Sequence, residues 1–283
     1  MPAQVTRFLS MSLEEDLGPG DITSALLLTG NQRSKAVFTA KSGFILAGLP
    51  FAQEVFRLVD GGIKFKPLLK EGSKVQKGAV LAEITGQAAS LLAAERVSLN
   101  ILQHLCGIAT LTNSYVQAIK EFLPSTKIVD TRKTMPSMRY MEKYAVRMGG
   151  GGNHRFGLYD GILIKDNHIK AAGGIKKAVA LAKKGGMHHL LKIEIEVEDL
   201  KGLKDALEAG ADVIMLDNMS IPMMEQAVKL CKKGKKDKTV LLEASGNVTL
   251  ENVRSIAQTG VDLISSGSIT HSAPAADISM RII

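Results

Sequence analysis

The stretch KIEIEVEDLKGLKDALEAGADVIMLD, residues 192–217, decides the fold of this chain. It starts with a short apolar run that also carries charged residues, continues with a segment of helical apolar spacing, and ends in a second apolar run. Glu196 and Asp217 end the two runs and lie one strand–helix repeat apart. Because strands separated by helices of this length form parallel sheets, the stretch predicts one strand–helix–strand unit of an α/β fold.

Four more apolar runs repeat the pattern on both sides of this unit. They are KIVD ending at Asp130, ILIKD at Lys165 and Asp166, LLEAS ending at Ser245, and LISS ending at Ser266. Six strands are therefore clear, whereas a complete eight-stranded barrel needs two more. We predict an α/β protein with an incomplete α/β barrel, whose functional groups meet where the strands end.

The first hundred residues have a different pattern. Short alternating runs separated by glycine turns predict a small β-rich domain. Within it, EGSKVQKGAVLAEITG resembles the hairpin of biotinyl and lipoyl carrier domains but lacks their displayed lysine motif, so we predict a structural β-hairpin with turns at Gly72 and Gly78. A helix from about Ala89 to Lys120, broken near Gly107, then links the two domains.

The predicted domain boundary lies between residues 106 and 107. Residues 1–106 form the N-terminal domain and residues 107–269 form the barrel domain, while we expect the tail, residues 270–283, to return to the N-terminal domain.

Composition limits the classes of ligand and the compartment. The 36 Lys and Arg residues exceed the 28 Asp and Glu residues, and the net charge of +8 favours anionic ligands or polyanionic surfaces. Aromatic residues make up 4% of the chain and Trp is absent, which argues against stacking on single-stranded nucleic acid. Cys106 and Cys231 form no disulfide or zinc motif, and we see no signal peptide or membrane span. We expect a cytoplasmic protein.

Cationic residues are densest in DTRKTMPSMRYMEKYAVRMGGGGNHRFGLYDGILIKDNHI, residues 130–169. A solvated helix face accounts for Arg139, Glu142 and Lys143. The remaining side chains lie at strand ends or in a glycine-rich loop, and they are Arg132, Lys133, His154, Arg155 and Lys165. Guanidinium groups bind carboxylate or phosphate with two hydrogen bonds, and ammonium groups act as compact charges. The cluster predicts a small ligand with several negative charges.

Two carboxylates end neighbouring strands. Glu196 and Asp217 suit Mg²⁺, bound directly or through water, because this ion prefers oxygen ligands and bridges to substrate phosphates. Ion pairing with nearby lysines is the structural alternative. Glu194 shares the strand face of Glu196 and is our second choice.

The two last strands both end in a Ser-Gly turn. SGN covers Ser245, Gly246 and Asn247, and SGS covers Ser266, Gly267 and Ser268. Loops after the late strands of such barrels bind phosphate through backbone N–H groups. Two equivalent turns on successive units therefore predict one phosphate site.

At these residues the chain resembles the quinolinate phosphoribosyltransferase family, also called nicotinate-nucleotide pyrophosphorylase (carboxylating). The resemblance runs from EEDLGPGDITSALL through AERVSLNILQHLCGIAT, DTRKT, NHR, KDNH and MLDN to LLEASGNVTLENV and ISSGSITHSAPAADIS. It implies transfer of the phosphoribosyl group of phosphoribosyl pyrophosphate to quinolinate, with loss of pyrophosphate and CO₂, to give nicotinate mononucleotide for NAD synthesis. It also implies Mg²⁺, an open α/β N-terminal domain, a barrel of about seven strands, and a head-to-tail homodimer or a hexamer.

The resemblance also implies roles for single residues. Arg132, His154 and Arg155 would hold the quinolinate carboxylates, and Arg96 would reach the site of the neighbouring subunit. Thr131, in the DTRKT motif, would also contact substrate; Lys133 and Lys165 would contact phosphates or the reacting carboxylate, and Glu196 and Asp217 the ribose and metal. Asn247, Ser266 and Ser268 replace residues common in the family, and we expect the phosphate turns to survive these changes.

Three other functions stay open at this point. A related protein found with molybdate transport has a similar two-domain sequence, and retention of HRFGL and KDNH argues against it. A silent phosphosugar sensor would gain nothing from Glu196 and Asp217 facing a phosphate. Nucleic-acid binding rests only on the isoelectric point and on CKKGKKDK, residues 231–238, where a helix end explains the lysines equally well. We interpret His188 and His189 as exposed loop residues.

Overall fold

The computed structural model describes residues 1–28, 32–122, 125–185, 190–233 and 240–283. The chain forms two compact units that interleave along the sequence. The first contains Met1–Asn113, Thr134–Gly150 and Ile269–Ile283, and the second contains Ser114–Lys133 and Gly151–Ser268. The boundary predicted between residues 106 and 107 lies inside one continuous helix, Ala88–Ala118.

The elements alternate along most of the chain. The α-helices are α1 Ala3–Leu17, α2 Ile22–Leu27, α3 Leu49–Val59, α4 Ala88–Ala118, α5 Arg139–Met148, α6 Asp166–Ala172, α7 Ile175–Lys184, α8 Leu200–Ala209, α9 Ile221–Lys233, α10 Val253–Gln258 and α11 Ser268–His271. The strands are β1 Arg33–Ala40, β2 Phe44–Ile45, β3 Lys64–Pro67, β4 Lys74–Val75, β5 Val80–Gln87, β6 Lys127–Val129, β7 Ile162–Ile164, β8 Ile193–Val197, β9 Val213–Asp217, β10 Leu241–Ser245, β11 Leu263–Ser265 and β12 Ile278–Ile282. No helix among the described residues has the length and apolar composition that crossing a bilayer requires.

The first unit is built on an antiparallel sheet of order β12-β1-β5-β3. Ala36, Phe38 and Ala40 alternate along β1 and are buried, as expected for a strand with one face in the core. The ring of Phe38 packs against those of Phe56 on α3 and Phe65 on β3, with centroids 5.9 and 6.1 Å away. The C-terminal strand β12 pairs with β1 from Ala36 to Ala40.

The predicted hairpin around Gly78 is wrong. β4 pairs with β2, whereas β5 pairs with β1 and β3. Gly78 still turns the chain at a φ of 88°, but the turn passes the chain from one sheet to the other. The alternation in the sequence describes the buried face of each strand and does not specify its partner.

The linking helix α4 continues through Gly107, where we expected a break. A Cβ atom at this position would lie 2.1 Å from the carbonyl oxygen of Pro274, so the glycine permits a close backbone approach. The interpretation of α5 as a solvated face is also wrong for two residues. Glu142 and Lys143 are buried, and the Glu142 carboxylate lies 2.9 Å from His104 Nε2 and accepts the backbone N–H of Met135.

The second unit contains a parallel sheet of order β6-β11-β10-β9-β8-β7. All six predicted strands are present, and their central residues are buried. Beyond β6, Val129 forms an isolated parallel bridge with Gly152. β6 and β7 are not paired with each other among the described residues, which agrees with an incomplete barrel. The predicted α/β class, with a separate small antiparallel sheet, is confirmed.

Candidate active site

The carboxyl ends of six parallel strands bring the predicted polar residues to one edge of the second unit. Asp130, Lys165 and Ser266 directly follow β6, β7 and β11. Asp217 and Ser245 are the last residues of β9 and β10 and face each other in register. Because parallel strands end at the same edge, this edge gathers the charged and Ser-Gly junctions of the sequence.

Asp130 holds the loop that carries the next cationic residues. Its buried carboxylate accepts hydrogen bonds from Asn153 Nδ2 at 2.6 Å and from the backbone N–H of His154 at 2.8 Å. Gly152 N–H also donates to the Ile128 carbonyl at 2.8 Å. The loop thus runs beside β6 and presents His154 and Arg155 at the strand ends, a function of Asp130 that the sequence did not reveal.

Arg155 lies in an environment suited to an anion. Its Nη1 donates to the Gly161 carbonyl at 2.9 Å, while its buried Nε has no hydrogen-bond partner among the described residues. Burial lowers the pKa of Arg155, and the positive charge of Arg132 lowers it further, with Glu194 and Asp160 opposing. The positive charges of Arg132 and Arg155 repel each other, and a bound carboxylate or phosphate would offset that repulsion.

Lys165 and Glu196 form an ion pair across the ends of β7 and β8, with Nζ 2.8 Å from Oε2. This contact is the structural alternative that the sequence left open for Glu196. At the end of β9, Asp217 Oδ2 accepts the side-chain amide of Asn218 at 2.9 Å. One oxygen of the Glu196 carboxylate and one oxygen of the Asp217 carboxylate are therefore engaged in contacts within the protein.

The SGN turn after β10 has a left-handed backbone. Gly246 has a φ of 92° and Asn247 a φ of 48°, so the asparagine adopts the conformation expected of it. Asn247 Nδ2 donates to Asn218 Oδ1 at 3.1 Å. A Cβ atom at Gly246 would lie 2.1 Å from the same Asn218 oxygen, so the turn requires glycine for both backbone and space.

A chain of hydroxyl groups joins the two Ser-Gly turns. The oxygens of Ser266 and Ser268 lie 2.7 Å apart, and Ser268 lies 3.1 Å from the Tyr115 hydroxyl. Tyr115 in turn donates to the carbonyl of Val248, which follows the SGN turn, at 3.4 Å. Ser268 begins α11 directly, whereas residues 248–252 separate the SGN turn from α10.

One buried group at this edge was missed altogether. Glu243 on β10 is fully buried, and His154 Nε2 lies 3.6 Å from its Oε2 and 3.0 Å from Glu194 Oε2. The sequence could have indicated this residue, because Glu243 interrupts the otherwise apolar strand LLEAS, where burial of an unpaired charge is costly. Glu194, our second choice for a functional carboxylate, belongs to this cluster.

The remaining predicted site residues are Thr131 and Lys133 after β6 and Arg96 on α4. Thr131 Oγ1 accepts the backbone N–H of Lys133, whose side chain is exposed. Arg96 is exposed on α4 in the first unit. His188, His189 and residues 234–238 of the lysine-rich run lie outside the described residues.

A parallel α/β barrel with guanidinium, ammonium, carboxylate and glycine-turn groups at one edge defines a class of enzymes that act on anionic, phosphorylated small molecules. The family models for the quinolinate phosphoribosyl transferase N-terminal and C-terminal domains match residues 21–106 and 108–281. This chain belongs to the quinolinate phosphoribosyltransferase family.

Full-length relatives agree with this assignment. The probable nicotinate-nucleotide pyrophosphorylase [carboxylating] of Bacillus subtilis is 45% identical over 99% of this chain and 93% of its own length. The protein of the same name from Synechocystis is 44% identical over 98% of this chain and 92% of its own length. The solved nicotinate-nucleotide pyrophosphorylase of Francisella tularensis superposes with a TM-score of 0.93 at 42% identity, covering 100% of this chain and 98% of that one.

Proposed function

We propose that this protein transfers the phosphoribosyl group of phosphoribosyl pyrophosphate to quinolinate, releasing pyrophosphate and CO₂ and forming nicotinate mononucleotide for NAD synthesis. It is a decarboxylating phosphoribosyltransferase, a pentosyltransferase. The observation that carries the proposal is that an arginine with a buried Nε, a lysine–glutamate pair and two Ser-Gly turns lie at one edge of the barrel in a chain of this family.

We assign the two carboxylates of quinolinate to Arg132 and Arg155, with His154 beside them. The half-buried guanidinium of Arg155 can form two parallel hydrogen bonds with a carboxylate. Thr131 and Lys133 follow β6 on the same side and would complete the contacts with substrate. Since a pyridine with a single carboxylate satisfies fewer of these donors, we expect quinolinate to be preferred over nicotinate.

We assign the phosphoribosyl group to the opposite strands of the same edge. Backbone N–H groups of Ser245–Asn247 and Ser266–Ser268 would bind its phosphate, and Glu196 and Asp217 would face its ribose. Glycine turns with left-handed backbone suit phosphate because successive N–H groups converge on one anion.

The carboxylates also fit Mg²⁺. Glu196 and Asp217 supply hard oxygen donors, and only Oε2 and Oδ2 are engaged in the contacts described above, so one oxygen of each is available to the ion or its waters. When bound, Mg²⁺ would neutralise negative charge on the departing pyrophosphate.

In the transfer step, the arginines hold the pyridine so that its nitrogen faces the ribose carbon. Lys133 and Lys165 stabilise negative charge on the leaving group while that carbon gains oxocarbenium character. Positioning and fixed charge supply most of the acceleration in such a step.

The second step is loss of CO₂. The alkylated ring nitrogen is cationic and stabilises the electron pair that departing CO₂ leaves on the neighbouring ring carbon, and this carbon then takes up a proton. Lys165 is our candidate donor, because an ammonium held by Glu196 is fixed in place at the strand ends.

We also propose a head-to-tail homodimer, alone or within a hexamer, in which Arg96 enters the partner's site. The exposure of Arg96 on α4 supports this role. The cytoplasmic location stays a prediction.

The deciding experiment offers quinolinate and nicotinate in parallel with phosphoribosyl pyrophosphate and Mg²⁺. We expect nicotinate mononucleotide, pyrophosphate and CO₂ in equal amounts from quinolinate only. Calorimetric binding of both substrates without any CO₂ release would instead show a silent phosphosugar-binding protein, and product from neither acid would refute the proposal.

A further inference from the structure

Three titratable side chains form one cluster, the half-buried His154 and the buried Glu194 and Glu243, and the mechanism above gives no role to the two carboxyl groups. One nitrogen or oxygen atom of each lies within 4.8 Å of the others. Glu243 is fully buried, and Glu194 is 8% exposed. Glu194 lies two residues before Glu196 on β8, and Glu243 two residues before Ser245 on β10, so the cluster lies one side-chain layer below the strand ends.

The ring of His154 is engaged at both nitrogens. Nδ1 accepts the backbone N–H of Arg155 at 2.8 Å, so it carries no proton in this arrangement. The proton of the neutral ring is then on Nε2, which donates to Glu194 Oε2 at 3.0 Å. A metal ion at Nε2 would require the opposite tautomer, with Nδ1–H pointing at another N–H donor. The geometry therefore favours a proton over a metal in this cluster.

The surroundings of Glu243 disfavour a negative charge. Neither of its oxygens has a hydrogen-bond partner among the described residues, and His154 Nε2 is too distant at 3.6 Å. The groups that act on Glu243 are Glu194 on β8, His154 in the loop after β6, and the Ser265 hydroxyl on β11. Burial raises the pKa of Glu243 to about 8 and the charge of Glu194 raises it as well, while His154 and the Ser265 hydroxyl oppose the rise. Burial and the neighbouring Glu194 both favour the neutral form of this carboxyl group.

We propose that Glu243 is a positioning residue that is held as a neutral carboxylic acid, so that the cluster beneath Arg155 carries one negative charge, on Glu194, rather than two. The neutral acid donates toward Glu194, which accepts the Nε2–H of His154. The ring of His154 in turn fixes the backbone N–H of Arg155. This inference rests on the proposed function, because it concerns the site assigned to the quinolinate carboxylates.

The number of negative charges in the cluster is important because these charges act on the nearby guanidinium group of Arg155. The charge of Glu194 already acts on the Arg155 guanidinium and opposes the effect of burial. A second negative charge on Glu243 would cancel more of the positive field that attracts a diacid. Binding of quinolinate is therefore expected to weaken as Glu243 ionises, since its ionised form predominates above about pH 8.

The test uses the full-length wild-type protein, Glu243→Gln and a matched control, Glu225→Gln, which makes the same change at an exposed position of α9. Glutamine has the shape of a neutral carboxylic acid but cannot ionise. Calorimetry measures quinolinate affinity from pH 6.5 to 9.5. We expect the wild type and the control to lose roughly tenfold in affinity between pH 7 and 9.5, the equivalent of one pKa unit of coupling. Glu243→Gln should bind like the wild type at pH 7 and lose less than twofold.

A second readout needs no substrate. Difference infrared spectroscopy of the wild type across the same pH range should show the carbonyl band of a protonated carboxylic acid at pH 7 that disappears above pH 8, and the band should be missing in Glu243→Gln. An alkaline loss of affinity identical in wild type and Glu243→Gln, an absent band at pH 7, or a metal ion that binds the wild type but not Glu243→Gln would each overturn the inference. If quinolinate does not bind the wild type at any pH, the proposed function fails, while the infrared result still decides the protonation of Glu243.

Discussion

Lys165 combines two properties at the scale of single residues that a proton donor requires. Its ammonium group lies at the end of β7 in the predicted cationic cluster, and Glu196 holds it at 2.8 Å. A flexible lysine without such a partner samples many rotamers, so the ion pair reduces the entropy lost when the group acts. The same pair makes Glu196 dependent on Lys165 for its orientation.

Replacing Lys165 with Ala should lower turnover by about two orders of magnitude or more, because both proton donation and charge stabilisation are lost. Quinolinate binding should stay measurable by calorimetry. Lys176→Ala is the matched control, since Lys176 also forms ion pairs with carboxylates but lies on the exposed face of α7, where such pairs contribute little. Unchanged turnover in Lys165→Ala would refute the role as proton donor.

The metal assignment makes a separate prediction. Asp217→Asn keeps the shape of the side chain and its contact with Asn218 but removes the charge that attracts a cation. The Mg²⁺ concentration for half-maximal activity should rise about tenfold or more, and excess EDTA should abolish the wild-type activity. Glu208→Gln, an exposed carboxylate on α8, serves as control. An unchanged Mg²⁺ requirement in Asp217→Asn would place the ion elsewhere.

At the scale of secondary structure, the turns after β10 and β11 differ in how they are held. The first uses left-handed backbone at Gly246 and Asn247 and packs against Asn218. The second is held by hydroxyl contacts through Ser266 and Ser268 to Tyr115. β10 and β11 are hydrogen-bonded neighbours in the parallel sheet. The pairing of these two strands therefore fixes the relative position of the two turns.

Gly246→Ala should damage the phosphate turn more than backbone strain alone explains. Its φ of 92° is unfavourable for alanine by roughly 1–2 kcal/mol, and its Cβ would also meet Asn218. Gly78→Ala is the control, because it has a φ of 88° with no atom within 4 Å of a Cβ. Steady-state kinetics should show a KM for phosphoribosyl pyrophosphate raised about tenfold in Gly246→Ala only, an effect worth roughly 1.4 kcal/mol. Equal kinetic effects in both variants would argue against a phosphate site at this turn.

At the scale of the whole molecule, each of the two compact units contains several separate segments of the sequence. The segments Thr134–Gly150 and Ile269–Ile283 belong to the first unit although they follow β6 and β11 of the second. The pairing of β12 with β1 joins residues 278–282 to residues 36–40 within the first unit. Folding of the first unit therefore requires contacts between residues far apart in the sequence.

The proposed sharing of Arg96 between subunits can be tested by mixing variants. Arg96→Ala should lose activity by removing a cation from the partner's site, and Lys165→Ala by removing one from its own. In a dimer, subunit exchange between the two inactive variants creates one intact site per mixed dimer, so activity should reappear. A mixture as inactive as its components, under conditions where mass spectrometry shows exchange, would place Arg96 outside the neighbouring site.

Sequence patterns predicted the six parallel strands and the residues at their ends because buried strands require apolar runs, and polar residues are tolerated where such strands leave the core. They did not reveal Glu243 or the burial of Glu142 and Lys143. A carboxylate inside a strand or helix looks the same in sequence whether its partner is water or a side chain such as His104, and only packing distinguishes the two. The hairpin around Gly78 failed for a related reason, since alternation does not name the neighbouring strand.

By itself the sequence determined the α/β class, the family and the kinds of charge at the strand ends. These features depend on local periodicity and residue chemistry, which do not require knowledge of the fold. Only the tertiary structure decided which strands pair, how the units interleave, and that His154, Glu194 and Glu243 share one buried cluster. Protonation in that cluster depends on burial and on charges from other strands, and both exist only once the chain has folded.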